Sequence, residues 1–350
     1  MEKKPDLLSM TKDELREYAV SIGEAPYRGD QIFSFFAKGA RFREMTTLSK
    51  ALREKLESLA ECRMPSVVTK RRSKDGTTVK YLLSLIDGEC VEAVLMRHDY
   101  GTSLCISSQV GCLMGCKFCA STIAGKVRDL LPSEMLGQVA AASRDSGERV
   151  DKLVMMGIGE PLDNYDNTVK FLRLLNDSEG IGLGLRNVSL STCGIVPGIR
   201  RLADEGLPVT LSVSLHAYCD ETRRAIMPIA KKYTLDELLA ACRYYFDRTG
   251  RRVSFEYTLI SGKNDSPEDA KGLSALLREK MGVPSHVNLI PLNRVDGTGM
   301  EPTGREGAER FAALLNSLGQ NATVRKSMGA DIDAACGQLR RSLQNGKTEV

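Results

Sequence analysis

The chain has 350 residues, of which 42% are hydrophobic and 27% charged, ordinary values for a globular protein with room for more than one domain. No apolar run approaches the roughly 18 residues of a membrane span, and the amino terminus turns polar and acidic early. Neither a membrane protein nor a secretory leader is expected, and the expected compartment is the cytoplasm. The charge balance of 49 − 45 = +4 is too mild to diagnose nucleic-acid binding. Ten cysteines without an export signal point to reduced thiols that hold metal or do chemistry, not to a disulfide scaffold.

Residues 1–64 read as a small helical domain of about three helices. Thr11 with Glu14 three residues on is an N-cap signature. Ile32, Phe33 and Phe36 recur at helical spacing in a second segment, and Leu48, Leu52, Leu56 and Leu59 in a third, opened by Thr46-Thr47. Residues 65–100 change period. Strand-like runs at 67–69, 77–83 and 90–95 are joined by turns at Lys74-Asp75-Gly76 and Asp87-Gly88-Glu89, an antiparallel extension.

From residue 101 to 350 short apolar runs alternate with helical stretches. The runs begin near Leu104, Leu153, Val188, Val209, Val253 and Val287, and the helical stretches span 133–143, 165–176, 198–205, 234–249 and 267–280. Six strand–helix units predict an α/β fold with a parallel sheet, read as a complete or partial (β/α) barrel with its chemistry at the carboxyl ends of the strands.

The densest signal is Gln109-Val110-Gly111-Cys112-Leu113-Met114-Gly115-Cys116-Lys117-Phe118-Cys119, just past the first expected barrel strand. Thiolates select zinc or iron–sulfur clusters. Structural zinc and ordinary clusters take four ligands, whereas this local set stops at three, which would leave one iron of a four-iron cluster open to a small molecule. Spacing alone leaves both metals open, with a distant Cys or His completing a zinc site.

This spacing is the signature of the radical S-adenosylmethionine (SAM) superfamily. The strings Ser107 to Cys112, Met156-Gly157-Ile158-Gly159-Glu160-Pro161-Leu162, Leu211 to Ala217 and Asp331-Ile332-Asp333-Ala334-Ala335-Cys336-Gly337-Gln338-Leu339 resemble, in order, the dual-specificity adenine carbon-2 methyltransferases of 23S ribosomal RNA and certain tRNAs. The resemblance runs almost end to end. It implies a radical SAM partial (β/α)6 barrel with the helical domain as an accessory that contacts RNA. Cys112, Cys116 and Cys119 would hold a [4Fe-4S] cluster whose unique iron is chelated by SAM.

Carbon 2 of adenine is electron-poor and has no lone pair, so it cannot attack a sulfonium methyl, and its methylation needs a carbon radical. The resemblance implies that Cys336 first takes a methyl from one SAM by displacement, and that a second SAM supplies the radical. Cys105 is the implied resolving thiol, releasing product as a transient Cys105–Cys336 disulfide. Glu92 is the implied acceptor of the carbon-2 proton. On their own, Cys336 reads equally as a fourth metal ligand, Cys105 as core packing and Glu92 as a solvent-facing strand acid.

Gly159, Glu160, Ser191, Ser214, Leu215, His216 and Asn293 are the implied SAM contacts. Apart from the resemblance, their support is position at strand carboxyl ends, and His216 alone reads as a hydrogen-bonded core histidine. Cys62, Cys90, Cys193, Cys219 and Cys242 read as structural. For RNA, the segment Arg223–Arg252 carries eight Lys or Arg against three Asp or Glu, and Lys70-Arg71-Arg72 adds a second cluster. Only 5% aromatic residues and no Trp argue against a stacking platform and for recognition of a folded RNA with the target base extruded. An external donor of the flavodoxin type, no membrane and a monomeric state complete the expectations. The alternatives are the related carbon-8 methyltransferase and a non-catalytic zinc RNA-binding protein with Cys112, Cys116, Cys119 and Cys336 as ligands.

Overall fold

The structure, a computed structural model, describes residues 4–293, 295, 298–326, 328–334 and 338; Cys336 lies outside the described residues. The chain opens with α1 (Lys12–Ser21), α2 (Tyr27–Ala37) and α3 (Lys50–Leu59). Thr11 and Glu14 form the expected capping box on α1. The third helix starts later than Thr46-Thr47 suggests, because the Ser49 side chain is what accepts from the Leu52 N–H.

Three antiparallel strands follow, β1 (Ser66–Arg72), β2 (Thr78–Ser84) and β3 (Cys90–His98). Then come β4 (Gly101–Cys105), a hairpin of β5 (Gln109–Gly111) and β6 (Lys126–Asp129), α4 (Pro132–Ser146), β7 (Lys152–Met155) and α5 (Tyr165–Asn176). The wind continues through β8 (Val188–Thr192), α6 (Val196–Asp204), β9 (Thr210–Ser214), α7 (Asp220–Ile226), α8 (Leu235–Thr249), β10 (Ser254–Leu259) and α9 (Pro267–Lys280). It ends with β11 (His286–Pro291), α10 (Arg305–Ser317) and β12 (Ala322–Val324).

All the strands except β5 and β6 form one ten-stranded sheet, in the order β1-β2-β3-β4-β7-β8-β9-β10-β11-β12. From β4 to β12 every neighbouring pair is parallel, and β1 to β3 continue the same sheet antiparallel. Among the described residues β1 and β12 do not pair, so the barrel is partial. Helices on the outer face bury the apolar side of each strand, and Leu153, Leu190, Leu211, Phe255 and Leu289 are fully buried.

The core is continuous with the amino-terminal helices. Leu15, Ile32, Phe36, Leu52 and Leu56 belong to the same buried cluster as Leu136 and Leu172. Polar contacts secure that junction: Ser133 Oγ donates to Asp6 at 2.6 Å, and Arg144 pairs with Glu44 at 2.5 Å.

The open side of the sheet is crossed by residues 328–334. The Lys74 N–H donates to the Asp331 carboxylate at 2.9 Å, Lys80 Nζ donates to the Asp333 carbonyl at 3.0 Å, and Ile332 and Ala334 are buried.

Candidate active site

The loop bearing the three cysteines is tied down at both ends. Gln138 accepts from the Ser107 N–H and donates to its carbonyl, each at 2.9 Å, and Ser107 Oγ donates to the Glu92 carbonyl at 2.7 Å. The Cys112 N–H donates to Gly125 O, and the Lys117 N–H donates to Ile226 O at 3.0 Å, anchoring the loop on α7. Cys116 packs with Ile226, Met227, Ile260 and Leu292, with Met114, Phe118 and Cys119 alongside. Cys112 and Cys116 are buried and Cys119 half-buried.

Burial pushes the Cys112 thiol up to about 12, and the Cys116 thiol rises for the same reason, each further raised by its cysteine neighbours. Two buried sulfurs and a half-buried third that oppose one another's ionisation are a donor set suited to positive charge, and soft donors favour iron–sulfur or zinc. Among the described residues no three His, Cys, Asp or Glu side chains converge as a single ion would require. A cluster takes each thiolate on a different iron and does not need that convergence, so the donor set fits a four-iron cluster.

Beside the sulfurs lies a cavity of about 150 Å³, lined by Cys112, Cys116, Cys119, Gly159, Glu160, Ser191, Ser214, His216, Glu256, Asn293 and Arg325 among others. The close approach of its wall requires glycines. A Cβ on Gly157 would stand 2.6 Å from the Ile106 carbonyl oxygen. One on Gly159, whose φ is +109°, would meet Gln109 at 2.6 Å. Gln109 organises this corner: its Oε1 accepts from the Glu160 N–H at 2.9 Å, and its Nε2 donates to Asp129 and Asp163, both at 2.8 Å.

Glu160 is buried, and its two oxygens accept from the N–H groups of Cys193 at 2.6 Å and Leu162 at 3.0 Å. Burial raises its carboxyl above the usual range even so. His216 is buried with a left-handed φ of +58°. Its Nδ1 accepts from the Thr258 N–H at 2.8 Å, so the neutral ring carries its proton on Nε2. Burial drives its basicity down to about 3, with the Arg223 charge adding to the effect. Phe118 meets the imidazole edge-on at 4.9 Å between centroids.

A larger cavity of about 970 Å³ adjoins the first, sharing Met156, Ile290, Asn293 and Arg325 with it. Cys105 lines it, as do Val94, Met96, Arg97, His98, Tyr100, Lys152, Arg186 and the segment from Met328 to Asp331. Cys105 also packs with Val94, Ile158, Ile332 and Ala334.

Two family models match the chain: the radical SAM superfamily over residues 106–272 and the ribosomal RNA large subunit methyltransferase N-terminal domain over residues 5–62. The probable dual-specificity RNA methyltransferase RlmN of Clostridium perfringens (strain 13) is 48% identical over 98% of both chains. That of Lachnospira eligens is 49% identical over 96% of this chain and 95% of its own. The chain belongs to the RlmN family of radical SAM methyltransferases. A crystal structure of a radical SAM methyltransferase from Sphaerobacter thermophilus matches this RlmN-family chain with a TM-score of 0.92 and 42% identity, covering 96% of this chain and 99% of the other. Membership implies a [4Fe-4S] cluster and SAM as the cofactors.

The residues singled out in the sequence divide by place. Cys112, Cys116, Cys119, Gly159, Glu160, Ser191, Ser214, His216 and Asn293 share the smaller cavity, and Cys105 stands in the larger one. Leu215, the residue after β9, has its side chain buried in the main apolar core and is not among the residues lining the cavity. Its backbone is engaged as well, N–H to Glu256 O at 3.0 Å and O from Arg223 Nε at 3.2 Å.

Glu92 is buried on the same face of β3 as Val94, which pairs with Cys105, but it lines neither cavity. Its carboxylate pairs with Lys80 at 2.8 Å. The solvent-facing reading of Glu92 is therefore wrong. Cys193, read as structural, lines the smaller cavity and donates its N–H to Glu160. Gln109, Glu256 and Arg325 escaped sequence reasoning. Gln109 stood within the quoted motif, but an amide there carries no signal until the hairpin folds beside Gly159.

The basic stretch 223–252 divides, with Lys231, Lys232 and Arg252 exposed. Arg223 is fully buried, and Arg224, Arg243 and Arg248 are paired with Asp220, Asp247 and Asp204. Lys70 pairs with Asp145. Among the described helices none is long and apolar enough to cross a membrane.

Proposed function

We propose that this chain methylates carbon 2 of an adenosine in 23S ribosomal RNA, and of an adenosine in certain tRNAs, using two SAM molecules per turnover. Its curated relatives are named as dual-specificity RNA methyltransferases, which supports RNA as the substrate class. In this reading residues 1–64 contact RNA, residues 65–100 extend the sheet and residues 101–350 carry the chemistry. Cys112, Cys116 and Cys119 hold the cluster, and Gly159, Glu160, Ser191, Ser214, His216 and Asn293 hold SAM. A cluster bound there and reduced by an external flavodoxin-type donor would supply the electron for reductive cleavage of SAM.

The chain's own groups do the rest. Glu160, buried at a strand end, is the acceptor for the SAM ammonium, which offsets the cost of keeping its carboxylate charged there. His216 offers an Nε2–H from a ring that stays neutral. Cys336 accepts a methyl on its sulfur and, once that methyl has lost a hydrogen, carries the carbon that joins the adenine ring. Glu92 takes the carbon-2 proton, Lys80 holding its carboxylate in place. Cys105 then attacks the Cys336 sulfur and releases the methylated RNA, leaving a disulfide. The protein acts as a monomer in the cytoplasm.

The observation that carries this reading is the packing of Ile332 and Ala334 against Cys105. It brings Ala334 to the larger cavity that Cys105 lines, next to the one lined by the three cysteines, which supports a Cys105–Cys336 exchange. The test is nucleoside mass spectrometry of RNA treated with the reduced, iron-loaded protein. 2-Methyladenosine is expected, and 8-methyladenosine alone would overturn the assignment. Cys336→Ala should keep its iron and lose methylation, which a zinc site using Cys336 would not allow. Cys105→Ala should accumulate RNA-linked protein.

A further inference from the structure

Arg223, on α7, is a fully buried arginine with no ion-pair partner among the described residues. Its Nε donates to Leu215 O at 3.2 Å, and Nη2 donates to Cys193 O at 2.8 Å and Ser214 O at 3.1 Å. The other terminal nitrogen, Nη1, is buried without a partner. Among the described residues no acid stands within ion-pair distance of it. Asp220, nearest in sequence, is occupied by Arg224 and by the Leu235 N–H.

A guanidinium removed from water without a counter-ion is strongly disfavoured, and three neutral carbonyls do not replace one. Cys193, whose carbonyl it bonds, and Cys116 lie within reach of its charge, as do Asp220 and Cys242. Two contacts fix the distance between Arg223 and the cysteine loop. The Lys117 N–H is bonded to Ile226 O on α7, and Ile226 and Met227 pack on Cys116.

We propose that Arg223 is the built-in counter-charge of the iron–sulfur centre, a positioning residue that favours its reduced state. This rests on the reading that Cys112, Cys116 and Cys119 hold a four-iron cluster. Three thiolates around that core leave a net negative charge, and one-electron reduction deepens it. A fixed cation in a region of low dielectric therefore favours the reduced form over the oxidised one. The carbonyl contacts hold the guanidinium in place, and Nη1 is left without a partner of its own.

The test compares wild type, Arg223→Gln and Arg223→Lys, each anaerobically loaded with iron and sulfide, by iron content and by redox titration followed by electron paramagnetic resonance. Arg223→Gln should weaken reduction at least tenfold, a shift of about 59 mV to more negative potential. Arg223→Lys keeps the charge but loses the fork, and should stay close to wild type. Loss of iron from Arg223→Gln alone, with Arg223→Lys loaded, would also support the counter-charge. Equal potentials in all three proteins would overturn it. So would equal shifts in both variants, or loss of iron from both with the fold intact, since those follow from shape and not from charge. Wild type that binds no iron would instead sink the cluster reading itself.

Discussion

Protonating His216 should destabilise the protein by an amount the structure fixes. The ring is buried, its Nδ1 already accepts from Thr258, and its basicity is lowered from 6.5 to about 3. Between those values the unfolded chain binds a proton that the folded chain refuses. The stabilisation from keeping the ring neutral is complete above pH 6.5 and is lost as pH falls through that window. At pH 5, about 1.5 units below the ordinary value, 1.36 kcal/mol per unit gives a loss of about 2 kcal/mol. His216→Asn removes the titration while keeping an acceptor for Thr258 and a residue tolerant of positive φ. Urea denaturation under anaerobic conditions from pH 7.5 to 5 should show wild type losing about 2 kcal/mol more than the variant. Buried carboxyls such as Glu160 and Glu256 titrate in both proteins and cancel. A difference that does not change with pH would refute the buried neutral ring, and with it the Nε2–H offered to the cavity.

Gly159→Ala places a methyl 2.6 to 2.8 Å from Gln109 atoms at a φ of +109°, a local cost of about 2–4 kcal/mol. The expected outcome is at least a tenfold loss of SAM affinity by equilibrium dialysis, with circular dichroism unchanged. Arg128 binds the fully buried Glu134 through two nitrogens, at 2.8 and 2.9 Å. Arg128→Met should cost about 3–5 kcal/mol in chemical denaturation, because it strips a buried carboxylate of its cation, and adding Glu134→Gln should recover most of it.

Much of this architecture was legible because its signals are local. The capping box at Thr11, the two Asp/Gly-containing turns around β2 and the alternation of β7 to β11 with helices each depend on a few neighbouring residues. Residue positions at strand carboxyl ends placed Ser191, Ser214 and His216 together, although their mutual distances could not be read. What stayed hidden depended on distant packing. The union of β1 to β3 with the barrel sheet requires β3 to pair with β4, which no local pattern announces. Arg223 counts in the sequence as part of a basic stretch offered to RNA because charge counts ignore burial, and α7 is too short for periodicity to reveal it. Leu215 shares a motif with two cavity residues, Ser214 and His216, but its own side chain goes into the apolar core, which the motif does not announce. Glu92 shows the converse: its burial comes from Lys80 on the neighbouring strand and from the chain crossing above.

That crossing has a bearing on the order of assembly. The contact between Lys74 and Asp331 joins residues 257 positions apart. Closing so long a span before the intervening elements are in place carries an entropic penalty with little to offset it. The strap can dock only after β2, β3 and the last parallel strand exist, so the thiol of Cys105 meets the carboxyl-terminal segment late. A nascent or half-folded chain thus keeps Cys105 apart from residues 328–334 until the sheet is built.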